Sequence, residues 1–258
     1  MKNVWNSFKA AFAMFSKIPM PQVDWSPESL RFMLCFFPLV GAAIGLIEFF
    51  CYIGLSWLGL GKELSAAVLT VVPLFVTGGI HVDGFLDTSD AMASWQEKEK
   101  RLEILKDSHV GAFAVINCVW YFLLYFGAMS QCLTRGWAIR EICLGFAISR
   151  CLSGISVISF PKAGKRGTVA RFARSANETL VGTVLLVLMF LTLGLMITTQ
   201  PFAGTISFAV TLLVFLHYRH HSLKYFGGIT GDLSGAFVCR CELAVALTNA
   251  VLTVLILR

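Results

Sequence analysis

The sequence predicts an all-α polytopic membrane helix bundle. It has about six to seven transmembrane helices, an N-terminal interfacial helix and an active site at the cytoplasmic face. Three observations lead there. The 258-residue chain is 57% hydrophobic and only 14% charged, against roughly 25% charged in globular domains. Long apolar runs recur along its length, and its few acids gather in short motifs. A water-soluble enzyme needs a more polar exterior than 36 charged residues supply. A disordered chain needs low hydrophobicity. The net charge of +6 reads as basic loops held against anionic headgroups, with no nucleic-acid partner.

A spanning helix needs about 20 mainly apolar residues. Residues 4–20 are too short and too charged, but their apolar residues recur at helical spacing, which predicts the interfacial helix. Residues 32–58 contain one charge, Glu48, and span. Residues 65–79 are shorter and run into a polar motif, so they form a span whose inner end carries function. Residues 111–133 are uncharged. Residues 142–160 span with Arg150 in their middle, and residues 180–199 follow. Residues 202–217 make a marginal sixth span. Residues 243–257 make a marginal seventh, whose start can lie within 236–242. The short connection at Gln200–Pro201 predicts an antiparallel hairpin of the fifth and sixth spans.

With the N-terminus inside, sixteen Lys and Arg fall on the inner side. Lys62, Arg135, Arg140 and Arg258 fall on the outer side, and Arg150 lies within a span. That bias predicts N-in, C-out. No repeat or Pro/Gly/Ser-rich linker divides the chain, so residues 1–258 read as one integral membrane domain. The eight cysteines form no CxxC pair and read as small buried hydrophobes, not as a disulfide framework. Lys9 and Lys17 interrupt what would have to be the apolar core of a signal peptide.

The most informative stretch is GGIHVDGFLDTSDA, residues 78–91. Asp83, Asp87 and Asp90 stand at i, i+4 and i+7 and share one helical face. Like charges so placed repel, unless a divalent cation sits among them, and all-oxygen ligands favour Mg²⁺, Mn²⁺ or Ca²⁺. Two further acidic motifs fall on the same side: LKDSHVGAF with Asp107, and GGITGDLSGA with Asp232. In the latter, Gly228, Thr230 and Gly231 suit close backbone approach to an anion, although small residues also pack membrane helices. Lys162 and Arg166 lie in a basic loop that also satisfies the positive-inside pattern. Arg150, costly in mid-span, needs an acidic partner among Asp83, Asp87, Asp90, Asp107 and Asp232, or a phosphate. Carboxylates beside cations at one face suit phosphoryl transfer. Lys106 and Arg150 would contact the phosphates, and His81 or His109 would take a proton. His217, His220 and His221 form a boundary cluster, not a zinc site.

At these motifs the chain resembles the cobalamin-5′-phosphate synthase family, also called adenosylcobinamide-GDP ribazoletransferase. The similarity runs from the Lys17-Ile18-Pro19 segment to the last span. Ala91 stands where many members have Gly, and the basic stretch around Lys162–Arg166 matches loosely. The resemblance implies a Mg²⁺-dependent, multi-pass enzyme of the bacterial or archaeal inner membrane. It would join adenosylcobinamide-GDP to α-ribazole or its 5′-phosphate late in cobalamin biosynthesis. The ribazole 3′-hydroxyl would attack and GMP would leave. Asp83, Asp87 and Asp90, completed by Asp107 or Asp232, would hold the metal. The family reading leaves room for a homo-oligomer and for other cobalamin-pathway enzymes as partners. A CDP-alcohol phosphotransferase would share the paired-Asp logic, but Asp83-Gly84 is followed by Phe85-Leu86 where that pattern has Ala-Arg. A transporter would spread polar residues through the bilayer depth, whereas here they collect at one face.

Overall fold

A computed structural model describes residues 2–165 and 167–256. Among these, twelve helices follow one another, with a single isolated β-bridge between Lys162 and Ile229. They are α1 (Lys2–Phe15), α2 (Pro27–Leu30), α3 (Met33–Trp57), α4 (Lys62–Thr77), α5 (Ile80–Ala93), α6 (Lys98–Ile104), α7 (Ala112–Cys132), α8 (Gly136–Ser159), α9 (Thr168–Ser175), α10 (Glu178–Thr199), α11 (Pro201–Phe226) and α12 (Gly231–Leu255). Six of them, α3, α7, α8, α10, α11 and α12, are long and apolar enough to cross a membrane. The broken pair α4–α5 makes up to seven. The protein is a multi-pass membrane bundle.

The helices sort into an inner and an outer set. In α8, 78% of the apolar window is buried, and in α12 61%, whereas α7, α10 and α11 bury only 28%. The outer helices therefore show their large apolar side chains, such as Leu123, Phe190 and Leu213, to lipid. The α3–α8 contact is drawn tight by Gly41 and Gly45, one turn apart, where an added Cβ would strike the α8 backbone at Phe146 and Cys143.

Several boundaries differ from the sequence expectation, and charge is the reason. The span expected at 142–160 begins at Gly136 and carries the buried Glu141 inside it. The sixth runs on to Phe226 and takes in His217, His220 and His221. The last starts at Gly231, well before residue 243, because Glu242 is paired inside the bundle. A run of hydropathy ends at a charge, but the helix runs on: Glu242 is paired with Arg150, and Glu141 is buried with neither carboxylate oxygen hydrogen-bonded. The α10–α11 hairpin turns on Gln200 alone, whose side chain accepts from the Ala203 N–H at 2.9 Å.

At the N-terminus, α1 stops at Phe15 and packs its apolar face on α3. Ala10, Ala11 and Phe12 are buried, and the Phe15 and Phe37 rings lie 4.1 Å apart. Between α4 and α5, Gly78 and Gly79 both take left-handed φ values, 66° and 80°, and the axis turns by 95°. Side chains with a Cβ resist that conformation. The turn lays α5 against α12 and α7 at the end of the bundle where α3, α7, α10 and α12 begin and α4, α8 and α11 finish.

Candidate active site

The turn at Gly78–Gly79 decides where the three aspartates of α5 go. Asp83 is exposed, while Asp87 and Asp90 are half-buried. Asp232, on the first turn of α12, joins them: a Cβ on Gly84 would lie 2.7 Å from the Asp232 carbonyl oxygen, so only glycine permits this approach. Asp87 stands within electrostatic reach of Asp83, Asp232 and Asp90. Among the described residues, no Lys, Arg or His forms a salt bridge with any of the four.

Asp90 has a partner of a different kind. Its two carboxylate oxygens accept from the Gly111 N–H at 2.7 Å and the Ala114 N–H at 2.9 Å, so it caps the start of α7. Asp107 is not brought to the group. It lies in an exposed turn, where its Oδ1 accepts from the His109 N–H at 3.0 Å and meets the His109 Nδ1 at 2.6 Å. The His109 contacts hold Asp107 below the usual carboxylate range. His109 is thus engaged by Asp107 alone and faces solvent. His81 is the opposite case: it is buried, and its Nε2 has no protein partner.

Arg150 corrects the sequence expectation. Its guanidinium is buried in α8 and pairs with Glu242 of α12, with further donation to the Ser149 hydroxyl and the Phe146 carbonyl. None of the five aspartates is its partner. Glu242 was visible in the sequence, but only the packing of α8 on α12 shows that it meets Arg150. Buried charges need such pairing.

Cations reach the acidic group from two loops. Lys106, after α6, and Lys162, after α8, line a cavity of about 220 Å³ together with Thr230, Gly231 and Asp232. Burial lowers the Lys162 amino group from the ordinary lysine range, opposed by Glu178. The Lys162 loop is stitched to the segment before α12: the Ala163 N–H donates to the Ile229 carbonyl at 3.0 Å, and the Ile229 N–H to the Pro161 carbonyl at 2.8 Å. Gly228 serves this stitch, since a Cβ there would lie 2.5 Å from the Ala163 nitrogen, and its own N–H goes to the Ser222 carbonyl. Thr230 caps α12 by accepting from the Leu233 N–H at 3.2 Å. The positive end of a 25-residue helix thus opens on the cavity beside two lysines, an arrangement that attracts phosphate. Arg166 lies outside the described residues.

The donor chemistry fits a hard divalent cation: Asp83, Asp87 and Asp232 offer carboxylate oxygens that, among the described residues, form no salt bridge. Among the described residues no three His, Cys, Asp or Glu side chains are grouped so that they could hold a metal ion by themselves.

Comparison with known proteins gives this geometry a context. The family model described as cobalamin-5-phosphate synthase matches residues 7–250. An adenosylcobinamide-GDP ribazoletransferase of Lachnoclostridium phytofermentans is 43% identical over 94% of this chain and 92% of its own. Proteins of the same name from Clostridium perfringens and Desulfitobacterium hafniense are each 32% identical, covering 94% of this chain and 96% and 94% of their own. No solved structure matches. With nearly its whole length matched, the chain belongs to the cobalamin-5-phosphate synthase family.

Proposed function

We propose that this chain is an adenosylcobinamide-GDP ribazoletransferase: it joins adenosylcobinamide-GDP to α-ribazole or its 5′-phosphate and releases GMP. The observation that carries the reading is Asp232. It closes the acidic group of α5 and also lines the basic cavity of Lys106 and Lys162. Charged phosphates and the oxygens that would hold their metal are thereby neighbours.

In this reading the pyrophosphate bridge lies in the Lys106–Lys162 cavity against the α12 N-terminus. The acceptor hydroxyl oxygen forms a bond to the phosphorus on the cobinamide side. The bond from that phosphorus to the bridging oxygen breaks, and GMP leaves with the electron pair. Lys106, Lys162 and the α12 amides stabilise the charge gathering on the phosphate oxygens. The hydroxyl proton passes to a base, with His81 and His109 the candidates. One or two carboxylates among Asp83, Asp87 and Asp232 would hold Mg²⁺ together with substrate phosphates, and the ion would supply Lewis-acid charge neutralisation. Asp90 supports the site by fixing α5 to α7, and Arg150 by fixing α8 to α12 behind it. Residues 1–258 act as one transferase unit in the inner membrane, with the N-terminus and the site on the cytoplasmic side. The support for this orientation is the crowding of basic residues at the site end. Assembly with other enzymes of the pathway, or with a second copy, would take place on that same side.

The test supplies the purified protein in detergent or lipid with Mg²⁺, adenosylcobinamide-GDP and α-ribazole, and follows GMP and adenosylcobalamin. Asp87→Asn is expected to abolish GMP release while the protein still inserts and purifies as the wild type does. Full turnover by Asp87→Asn would remove the metal assignment. Absence of GMP from the wild-type protein would remove the activity.

A further inference from the structure

A second cavity, of about 210 Å³, adjoins the basic one and shares Gly231, Asp232, Thr168 and Val169 with it. Four of its lining residues are aromatic and come from four elements. Phe15 of α1 lies 4.1 Å from Phe37 of α3, ring centre to ring centre. Phe172 of α9 stands edge-on to Phe15 at 6.3 Å. The His81 ring of α5 flanks Phe15 and Phe37 at 6.2 and 6.0 Å. Asp83 and Asp232 are the charged groups on its lining.

Resting on the ribazoletransferase reading, we infer that this cavity seats the aromatic base of the acceptor nucleoside. The base would stack among Phe15, Phe37 and Phe172, and the attached ribose would reach back over Asp83 and Asp232 toward the phosphates. Three arguments converge. First, Asp232 lies on the lining of both cavities, so a ligand in one and a ligand in the other would face the same carboxylate at the candidate reaction centre. Second, a space of this size excludes the corrinoid macrocycle and admits one flat bicyclic ring, for which offset and edge-on aromatic neighbours are favourable. Third, the polarity matches a benzimidazole better than guanine. Guanine carries several donors and acceptors on its outer edge, each costly to bury unpaired. A benzimidazole nucleoside presents carbon there and one unsubstituted ring nitrogen. Of the cavity's lining, one buried side-chain polar atom lacks a partner, the His81 Nε2. The Ser234 hydroxyl is already used, donating to the Thr230 carbonyl at 2.8 Å and meeting the Tyr218 hydroxyl at 2.9 Å. That Nε2 is covered as it stands, so the His81 ring must turn for its Nε2–H to reach that one nitrogen. On this assignment His81 orients the acceptor and leaves His109 as the base candidate, and α1 and α9 act as specificity elements.

The experiment measures α-ribazole binding to the protein in lipid nanodiscs without the second substrate, and then KM for each substrate separately. Phe15→Leu and Phe172→Leu keep apolar bulk but remove the ring face. Each is expected to raise the dissociation constant and KM for α-ribazole by about three- to tenfold, with KM for adenosylcobinamide-GDP unchanged. Phe172→Tyr should restore binding. Should a leucine variant fail to fold, Val157→Phe fills the cavity from α8. It is expected to abolish α-ribazole binding while inorganic pyrophosphate still binds as to the wild type. Equal KM increases for both substrates, or unchanged α-ribazole binding in all variants, would overturn the assignment. So would displacement of α-ribazole by GMP with Phe172→Leu weakening GMP instead, since that makes the cavity a guanine seat. Wild-type protein that binds α-ribazole but never releases GMP would sink the activity and leave the cavity assignment standing. Normal turnover with unmoved α-ribazole constants in the variants would do the reverse.

Discussion

Replacing Glu242 by Gln leaves the Arg150 guanidinium buried between α8 and α12 without its counter-charge. Breaking such a pair from one side costs about 3–5 kcal/mol, whereas replacing both partners with apolar residues of similar size is far milder. Thermal unfolding in detergent should therefore show Glu242→Gln and Arg150→Met each well below wild type, and Arg150→Met with Glu242→Leu recovering most of the loss. Additive losses in the double variant would refute the pairing. The aspartates separate in another way. Asp232→Asn is expected to lower kcat by about 10²–10³-fold, the scale of losing one preorganised charge at a reacting centre. Asp107→Asn, whose carboxylate is turned toward His109 in solvent, should change kcat by less than about tenfold. Lys162 adds a pH signature. Its amino group is charged only below its pKa, and burial lowers that pKa. Binding of the GDP substrate should weaken as pH rises into the alkaline range, sooner than an ordinary lysine would allow. Lys162→Arg should push that limb to higher pH in a KM profile. At this scale the sequence displayed the acids and the lysines but not their sorting. Asp90 and Asp87 look equivalent on a helical face, and only the position of the α7 N-terminus makes one a cap.

At the scale of elements, two glycine contacts carry the architecture that the site needs. A methyl group at Gly84 would press α5 away from Asp232. A shift near 1 Å at a reacting centre can cost about 10²-fold in rate, so Gly84→Ala should insert normally and lose most turnover in the GMP assay. A Leu at Gly41 would wedge α3 off the inner helix α8 and is expected to give aggregated protein on size exclusion. The Gly41 and Gly45 spacing is a small-residue motif that stands in the sequence inside an apolar run, and it could have announced the α3–α8 pairing. The spans at 32–58, 111–133 and 180–199 were legible to within a few residues, because hydropathy alone defines an uncharged or nearly uncharged helix. The start of α12 was not. Asp232, Arg240 and Glu242 interrupt the apolar run, and their tolerance comes from contacts with α5 and α8 that lie far away in sequence. The amphipathic character of α1 was legible, but the packing of its buried Ala10, Ala11 and Phe12 against the bundle was not.

For the whole molecule, the two ends of the bundle are chemically unlike. Among the described residues the end away from the site carries Lys62, Arg135 and Arg140, while the site end carries the remaining basic loops. With the native cysteines removed, a single cysteine at Lys100 should react with an impermeant maleimide only in inside-out vesicles, and one at Lys62 only in intact cells. The opposite pattern would invert the proposed orientation. The connections at the two ends differ as much as their charges. Away from the site the chain turns back at residues 58–61, at 133–135 and at Gln200, with almost no free backbone. At the site end the stretch at 105–111 is longer, and residues 106–110 in it are exposed. Proteases need several residues of loose chain to seat a peptide bond. Trypsin trapped on one side of a sealed vesicle should therefore nick the molecule quickly from the site side and leave it nearly whole from the other, so that the single-residue turn at Gln200 acts as armour.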